Sequence, residues 1–117
     1  MRKINVEKQN VKDWLTALAD ASRSEKDKNL WRRVHRLSAV PSRSRHSVNL
    51  YKINSYTRER DNIVVPGKVL SEGSLAHKVN IAAIEFSRPA LERIRDSNSS
   101  VVELKKMLKA GRVKIII

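Results

Sequence analysis

The stretch Val79-Asn80-Ile81-Ala82-Ala83-Ile84-Glu85-Phe86 decides the fold. Read with the two-residue period of a strand, Val79, Ile81 and Ala83 fall on one face and Ala82, Ile84 and Phe86 on the other. A strand that is apolar on both faces must be covered on both, so helices pack over a sheet and neither face is left to water. Ser87 then caps a helix from Arg88 to about Arg95. Pro89 is tolerated there because first-turn amides have no intrahelical acceptor. Upstream, Ile63-Val64-Val65 is a β-branched run. Pro66-Gly67 reads as a type II turn that stops it, and Val69-Leu70 resumes extended structure. Ser71-Glu72-Gly73-Ser74 reads as a second turn.

Toward the amino terminus, Val11, Trp14, Leu15 and Leu18 fall at helical spacing and predict a helix from about Val11 to Arg23, with Asn10 as N-cap. A second helix is predicted from about Lys28 to Leu37, capped by Asp27. Leu30, Val34 and Leu37 form its apolar stripe, with Trp31 beside it. Arg32, Arg33 and Arg36 share the opposite face, where their repulsion costs a few tenths of a kcal/mol per pair, roughly. Pro41 closes this region. Residues 41–47 lack apolar periodicity and read as an exposed basic loop. Val48-Asn49-Leu50 reads as a short strand, and Tyr51 to Thr57 as a short helix with Ile53 and Tyr56 facing inward.

Toward the carboxyl terminus, Ser100-Val101-Val102-Glu103 has the form of a capping box. It predicts a helix ending at Lys109 or Ala110, with Gly111 at the left-handed position beyond. Arg112 to Ile117 reads as the closing strand. The predicted core is Trp14, Leu18, Val34, Leu50, Ile53, Val64, Ile81, Ile84, Phe86, Leu91, Leu104 and Ile115. The 117 residues suit one α/β domain, large enough to bury a core without covalent help.

The charge distribution narrows the function. Lys and Arg number 25 against 12 Asp and Glu, a net charge of +13. Residues 1–60 carry 15 basic and 6 acidic side chains, leaving +4 of the net charge to the rest. Between Asp27 and Glu59 there is no acidic residue, while Lys28, Arg32, Arg33, Arg36, Arg43, Arg45, Lys52 and Arg58 all fall there. Such a run repels itself unless a polyanion neutralises it, and a nucleic-acid backbone is the commonest such partner. An ordinary solvated face is the plainer reading. The length of the run and the basicity of the whole chain favour nucleic acid. With only Trp14, Trp31, Tyr51, Tyr56 and Phe86 as aromatics, backbone and shape recognition is expected over base stacking.

Catalytic chemistry finds little footing. There is no cysteine, so disulfide, thiolate-metal and Cys-nucleophile readings fall away. His35, His46 and His77 have no metal-ligand spacing. Pro66-Gly67-Lys68 lacks the rest of a phosphate-loop pattern. The carboxylates Asp13, Asp20, Glu85 and Glu92 are scattered, so neither enzyme nor cofactor is expected. No apolar run reaches membrane-spanning length, and the amino terminus has no signal-type stretch. The expectation is a soluble intracellular protein with no small-molecule substrate.

Taken together, these strings resemble the eighteen-e family of large-subunit ribosomal proteins of archaea and eukaryotes. The resemblance rests on Trp31-x-x-Val34-x-x-Leu37, Pro41 with its arginine-rich loop, and Val48-Asn49-Leu50-Tyr51-Lys52-Ile53. It continues through Ile63-Val64-Val65-Pro66-Gly67-Lys68-Val69-Leu70 with Gly73, then Val79 to Ala83 and Phe86-Ser87. It covers roughly residues 10–96 well. The tail departs from the family: Asn98-Ser99-Ser100 stands where relatives often carry a glycine pair. The resemblance implies an irregular superhelix of β-β-α units preceded by N-terminal helices, a fold shared with the C-terminal part of the bacterial large-subunit protein fifteen. It implies a non-catalytic, cytoplasmic constituent of the large subunit, bound to its RNA and to neighbouring proteins, and the short chain suits archaeal members.

On this reading the RNA-binding residues are Arg32, Arg33 and Arg36 on the helix, and Arg43, Arg45 and His46 in the loop. Lys52 and Arg58 continue the same face, Lys68 adds one backbone contact, and Arg2 and Lys3 lie in a flexible basic end over residues 1–9. The rivals are a free-standing DNA- or chromatin-binding protein, for which there is no helix-turn-helix signature, and an RNA-processing enzyme, for which there is no acid–base or metal cluster.

Overall fold

The computed structural model describes residues 6–24, 28–110 and 112–117. Two helices lead, α1 (Val6–Ser24) and α2 (Lys28–Ser38). A single 3-10 turn at Ser42–Ser44 follows, then β1 (His46–Asn49), α3 (Leu50–Tyr56), β2 (Asp61–Leu70) and β3 (Val79–Phe86). The chain continues as α4 (Arg88–Asp96), β4 (Ser100–Val101), α5 (Leu104–Lys109) and β5 (Val113–Ile115). The succession β2, β3, α4 agrees with the strand–strand–helix order that the family resemblance implies.

All the strand pairs are parallel. β3 lies along one edge of β2 for nearly its whole length. The other edge of β2 is shared: β5 pairs with Asn62–Val64 and β1 with Gly67–Leu70. The far side of β3 holds β4 at Asn80 and Ile81.

The alternation in β2 and β3 builds two cores. Ile63, Val65, Val69, Val79 and Ile81 face α3 and α4, where Leu50, Ile53, Ala90 and Ile94 meet them. Val64 and Ala82 face the opposite way, against Trp14, Leu18 and Ala21 of α1, Trp31 and Val34 of α2, and Leu104 and Met107 of α5. The parallel sheet is therefore covered on both faces, as the double-sided pattern of residues 79–86 requires.

Several local expectations are corrected. Helix α1 starts at Val6, so Asn10 lies inside it rather than capping it, and residues 6–9 belong to the helix rather than to a flexible end. Asp27 and Gly111, expected as caps, lie outside the described residues. Pro66-Gly67 does not end a strand. β2 runs through it, and a Cβ on Gly67 would collide with the His46 carbonyl. The glycine is there because β1 approaches too closely for a side chain.

The β2–β3 register shifts by one residue between Val65 and Lys68, which sets Phe86 beside Val69. Phe86 thus joins the first core, half-buried, instead of sharing a face with Ile84. Ser100-Val101 pairs with β3, and no capping box forms: Glu103 is the N-cap of α5 without a side-chain cap bond. Pairing in the sheet satisfies backbone groups that the box would have left to side chains.

Leu91 is 38% exposed, on the outer side of α4. Ile84 and Ile115 are only partly buried, and Ile116 takes the fully packed place beside the first core. Asn98 adopts φ 60, the left-handed region that asparagine tolerates better than other side chains. It turns the chain after α4.

Candidate nucleic-acid interface

Helix α2 separates its surfaces cleanly. Trp31, Val34 and Ser38 are buried, while Arg32, Arg33 and Arg36 are exposed. The helix is pinned from both sides at its last residue. The Trp14 indole Nε1 donates to the Ser38 hydroxyl at 2.9 Å, and that hydroxyl donates to the Val34 carbonyl at 2.7 Å. Arg45 Nε donates to the Ser38 carbonyl at 3.0 Å. A cation on a helix's final carbonyls satisfies an orphan acceptor and complements the negative end of the dipole. Arg45 is therefore half-buried and partly committed to the fold, while Arg43 and His46 stay exposed.

His46 and Ser47 belong to β1 and not to a loop. Among the described residues β1 pairs only with β2, so it is an edge strand, and both of these residues are exposed. Cationic side chains on and beside such an edge also discourage unwanted strand pairing.

Beyond β1 the chain passes to the other side of the sheet. α2 packs on the core of Val64 and Ala82, whereas α3 packs on the core of Ile63 and Ile81. Lys52, half-buried on α3, and exposed Arg58 therefore do not continue the face of Arg32, Arg33 and Arg36. The acid-free run is a saddle: arginines on one side, Arg43 and His46 at the rim, Lys52 and Arg58 on the far side. Strand and helix periods show which face of an element is polar, but not on which side of a sheet the element lies, so this division was not legible.

Lys68 has a partner in the protein. Its ammonium lies 3.6 Å from Glu85, its neighbour in the β2–β3 register, with both side chains about two-fifths exposed. Arg2 and Lys3 lie outside the described residues. At the far end of the saddle the Arg58 amide donates to Asp61 Oδ2 at 2.8 Å, and Lys114 Nζ donates to the same oxygen at 2.9 Å. The Arg58 amide first, then Lys114, hold the Asp61 carboxyl below its ordinary range.

At the C-cap of α3, Thr57 rather than Tyr56 is buried, and the Thr57 hydroxyl donates to the Ile53 carbonyl at 2.7 Å. With that hydrogen used, His77 Nε2 is the donor in its 2.7 Å contact with Thr57. His77 thus fastens the loop after β2 to α3. Tyr56, expected inward, is 63% exposed, and Tyr51 is 55% exposed. Both aromatics stand on the saddle's far side, next to Lys52. The corrected phase of α3 is the signal that would have found them.

No family model matches the chain. Curated relatives do. Large ribosomal subunit protein eL18 of Sulfurisphaera tokodaii is 47% identical over 85 residues, covering 73% of this chain and 72% of the relative. The protein of the same name from Sulfolobus acidocaldarius is 45% identical over 87 residues, 74% of each. That of Methanoregula boonei is 38% identical over 106 residues, 89% of this chain and 87% of the relative. Identity at this level across most of both partners gives the chain a structural, non-enzymatic role in the cytoplasmic large ribosomal subunit. The chain belongs to the archaeal eL18 family of large ribosomal subunit proteins.

Proposed function

We propose that the chain holds large-subunit ribosomal RNA by its phosphate backbone, with the acid-free saddle as the contact surface. One observation carries this reading: a run of eight cations without an acid is folded around an exposed sheet edge, so its charge is presented on two sides of one ridge. Arg32, Arg33, Arg36 and Arg43 supply planar forks that suit phosphate oxygens. Arg45 contributes the guanidinium nitrogens not engaged with Ser38, and His46 a ring donor. Lys52 and Arg58 meet RNA that wraps the edge, while Lys68 contributes only as far as Glu85 releases it. Arg2 and Lys3 add a basic end. Neighbouring ribosomal proteins complete the surroundings, and the chain serves as one ribosomal-protein domain over residues 1–117.

Residue-mapped crosslinking in purified large subunits tests the assignment. RNA adducts are expected at Arg36, Arg43, His46 and Arg58. Adducts confined to α4 and α5 would place the RNA elsewhere.

A further inference from the structure

The opposite margin of the sheet has a different character. A groove of about 670 Å³ runs along the outer side of β3, between α1 and the chain from Val101 to Lys105. Ile84, Phe86 and Val101 supply apolar lining, and Val101 is 48% exposed. Asp13 and Asp20 of α1 and Glu103 before α5 also line it, with Lys105 as the one cation among the described lining residues. Three carboxylates around one groove are conspicuous in a chain that holds 12 against 25 cations. The groove also borders backbone that lacks a strand neighbour. β4 covers only Asn80 and Ile81, so among the described residues no strand pairs with the outer edge of β3 from Ala82 to Phe86.

We infer that this groove takes an extended, lysine- or arginine-bearing segment of a neighbouring protein, added as a strand beside β3. Three features select that occupant. The open edge supplies main-chain hydrogen bonds to an extended peptide. Alternate side chains of an added strand fall on opposite faces, so the set turned toward α1 meets Asp13, Asp20 and Glu103 beside Ile84, while the other set lies on the Phe86 face. The rim's sign favours a basic segment and disfavours a phosphate backbone, which belongs to the saddle at the opposite margin. Glu103 is exposed and free of any cap bond, so it faces an incoming cation at no cost to the fold.

The probe is a synthetic ten-residue peptide alternating lysine with valine. Its control alternates glutamate with valine. NMR of the full-length protein reads the amides of Ala83 to Phe86, and Trp14 fluorescence gives the affinity. The lysine peptide is expected to shift those amides, and the glutamate peptide to leave them unmoved. Charge reversal by Glu103→Lys should weaken the lysine peptide about fivefold or more. Val101→Asp, at an exposed position, should weaken it at least as much. Both variants should keep the RNA affinity within about twofold, because the saddle lies at the other margin. In reconstituted large subunits, a crosslinker on Val101→Cys should yield an adduct with a protein and not with RNA. Equal binding of the two peptides, an unchanged affinity in Glu103→Lys, or an RNA-only adduct at position 101 overturns the inference. Loss of RNA binding by saddle variants with intact peptide binding would bear on the saddle alone.

Discussion

Arg45 Nε donates to the Ser38 carbonyl at 3.0 Å, and this single bond ties the rim of the basic saddle to the end of α2. Arg45 lies seven positions after Ser38 in sequence, and between them lie Pro41 and the 3-10 turn that carries Arg43. The bond therefore fixes where the exposed cations stand relative to Arg32, Arg33 and Arg36. A surface held in place before RNA arrives loses less entropy on binding.

Arg45→Lys separates placement from charge. Lysine keeps the cation but has no Nε donor in the arginine position. The slope of log affinity against log salt should stay near the parent's, while affinity falls about three- to tenfold. Filter binding across a salt series measures both. An unchanged affinity would show that the Ser38 bond contributes nothing to preorganisation.

Gly67→Ala should be among the costliest changes in the chain. The new Cβ would overlap the His46 carbonyl, and a backbone atom within a paired strand cannot step aside as a flexible side chain would. A loss of about 3 kcal/mol or more is expected in urea unfolding, with β1 released from β2. A loss below about 1 kcal/mol would mean that β1 shifts freely against β2.

Core truncations should follow the observed burial and depart from the sequence-based expectation. Ile53 is fully buried, so Ile53→Ala should cost about 2–5 kcal/mol. Phe86 is half-buried beside Val69, so Phe86→Ala should fall short of the roughly 3–5 kcal/mol of a fully buried ring. Leu91, exposed on α4, should change stability by no more than about 0.5–1 kcal/mol on truncation to alanine. Denaturant unfolding of the three variants gives the order, and a costly Leu91→Ala would contradict the orientation of α4.

The double-sided alternation of Val79 to Ile84 made the covered parallel sheet legible, and the Ser87–Pro89 start of α4 followed from local chemistry: the Ser87 hydroxyl accepts from the Ala90 amide at 3.2 Å. Where a reading failed, a partner distant in sequence had decided. The Pro66-Gly67 pair has turn chemistry, yet β1 pairs with Gly67 and β2 runs on through it, leaving only a register shift against β3. Ser100 to Glu103 has capping-box chemistry, yet β3 recruits its first two residues. The same limit applies to the basic run. Its charge was plain, but its division over two sides of the sheet depends on α2 and α3 packing against opposite cores.

Asp61 gives the fold a pH signature. Its carboxyl titrates below its ordinary range because the Arg58 amide and the Lys114 ammonium hold the charged form. A depressed acid contributes stability that is fully present above its unfolded pKa and lost as pH falls through the lower, folded one. Asp61→Asn should therefore reduce stability at neutral pH, and the gap from the parent should close as the pH drops through the acid range. Urea midpoints from pH 7 downward test this, and a gap that stays constant to the acid limit would contradict it.

The most direct test of the central claim replaces Arg32, Arg33, Arg36, Arg43 and Arg45 with alanine and measures binding to the protein's ribosomal RNA fragment across a salt series. Each phosphate-binding arginine removed should lower the slope of log affinity against log salt by about 0.7–0.9. Affinity should fall similarly for RNA sequences of one shape, because phosphate contacts position without reading bases. The expected result is a flattened slope, a folded variant and defective incorporation into large subunits. A folded variant that keeps the parent's slope and assembles normally would contradict it.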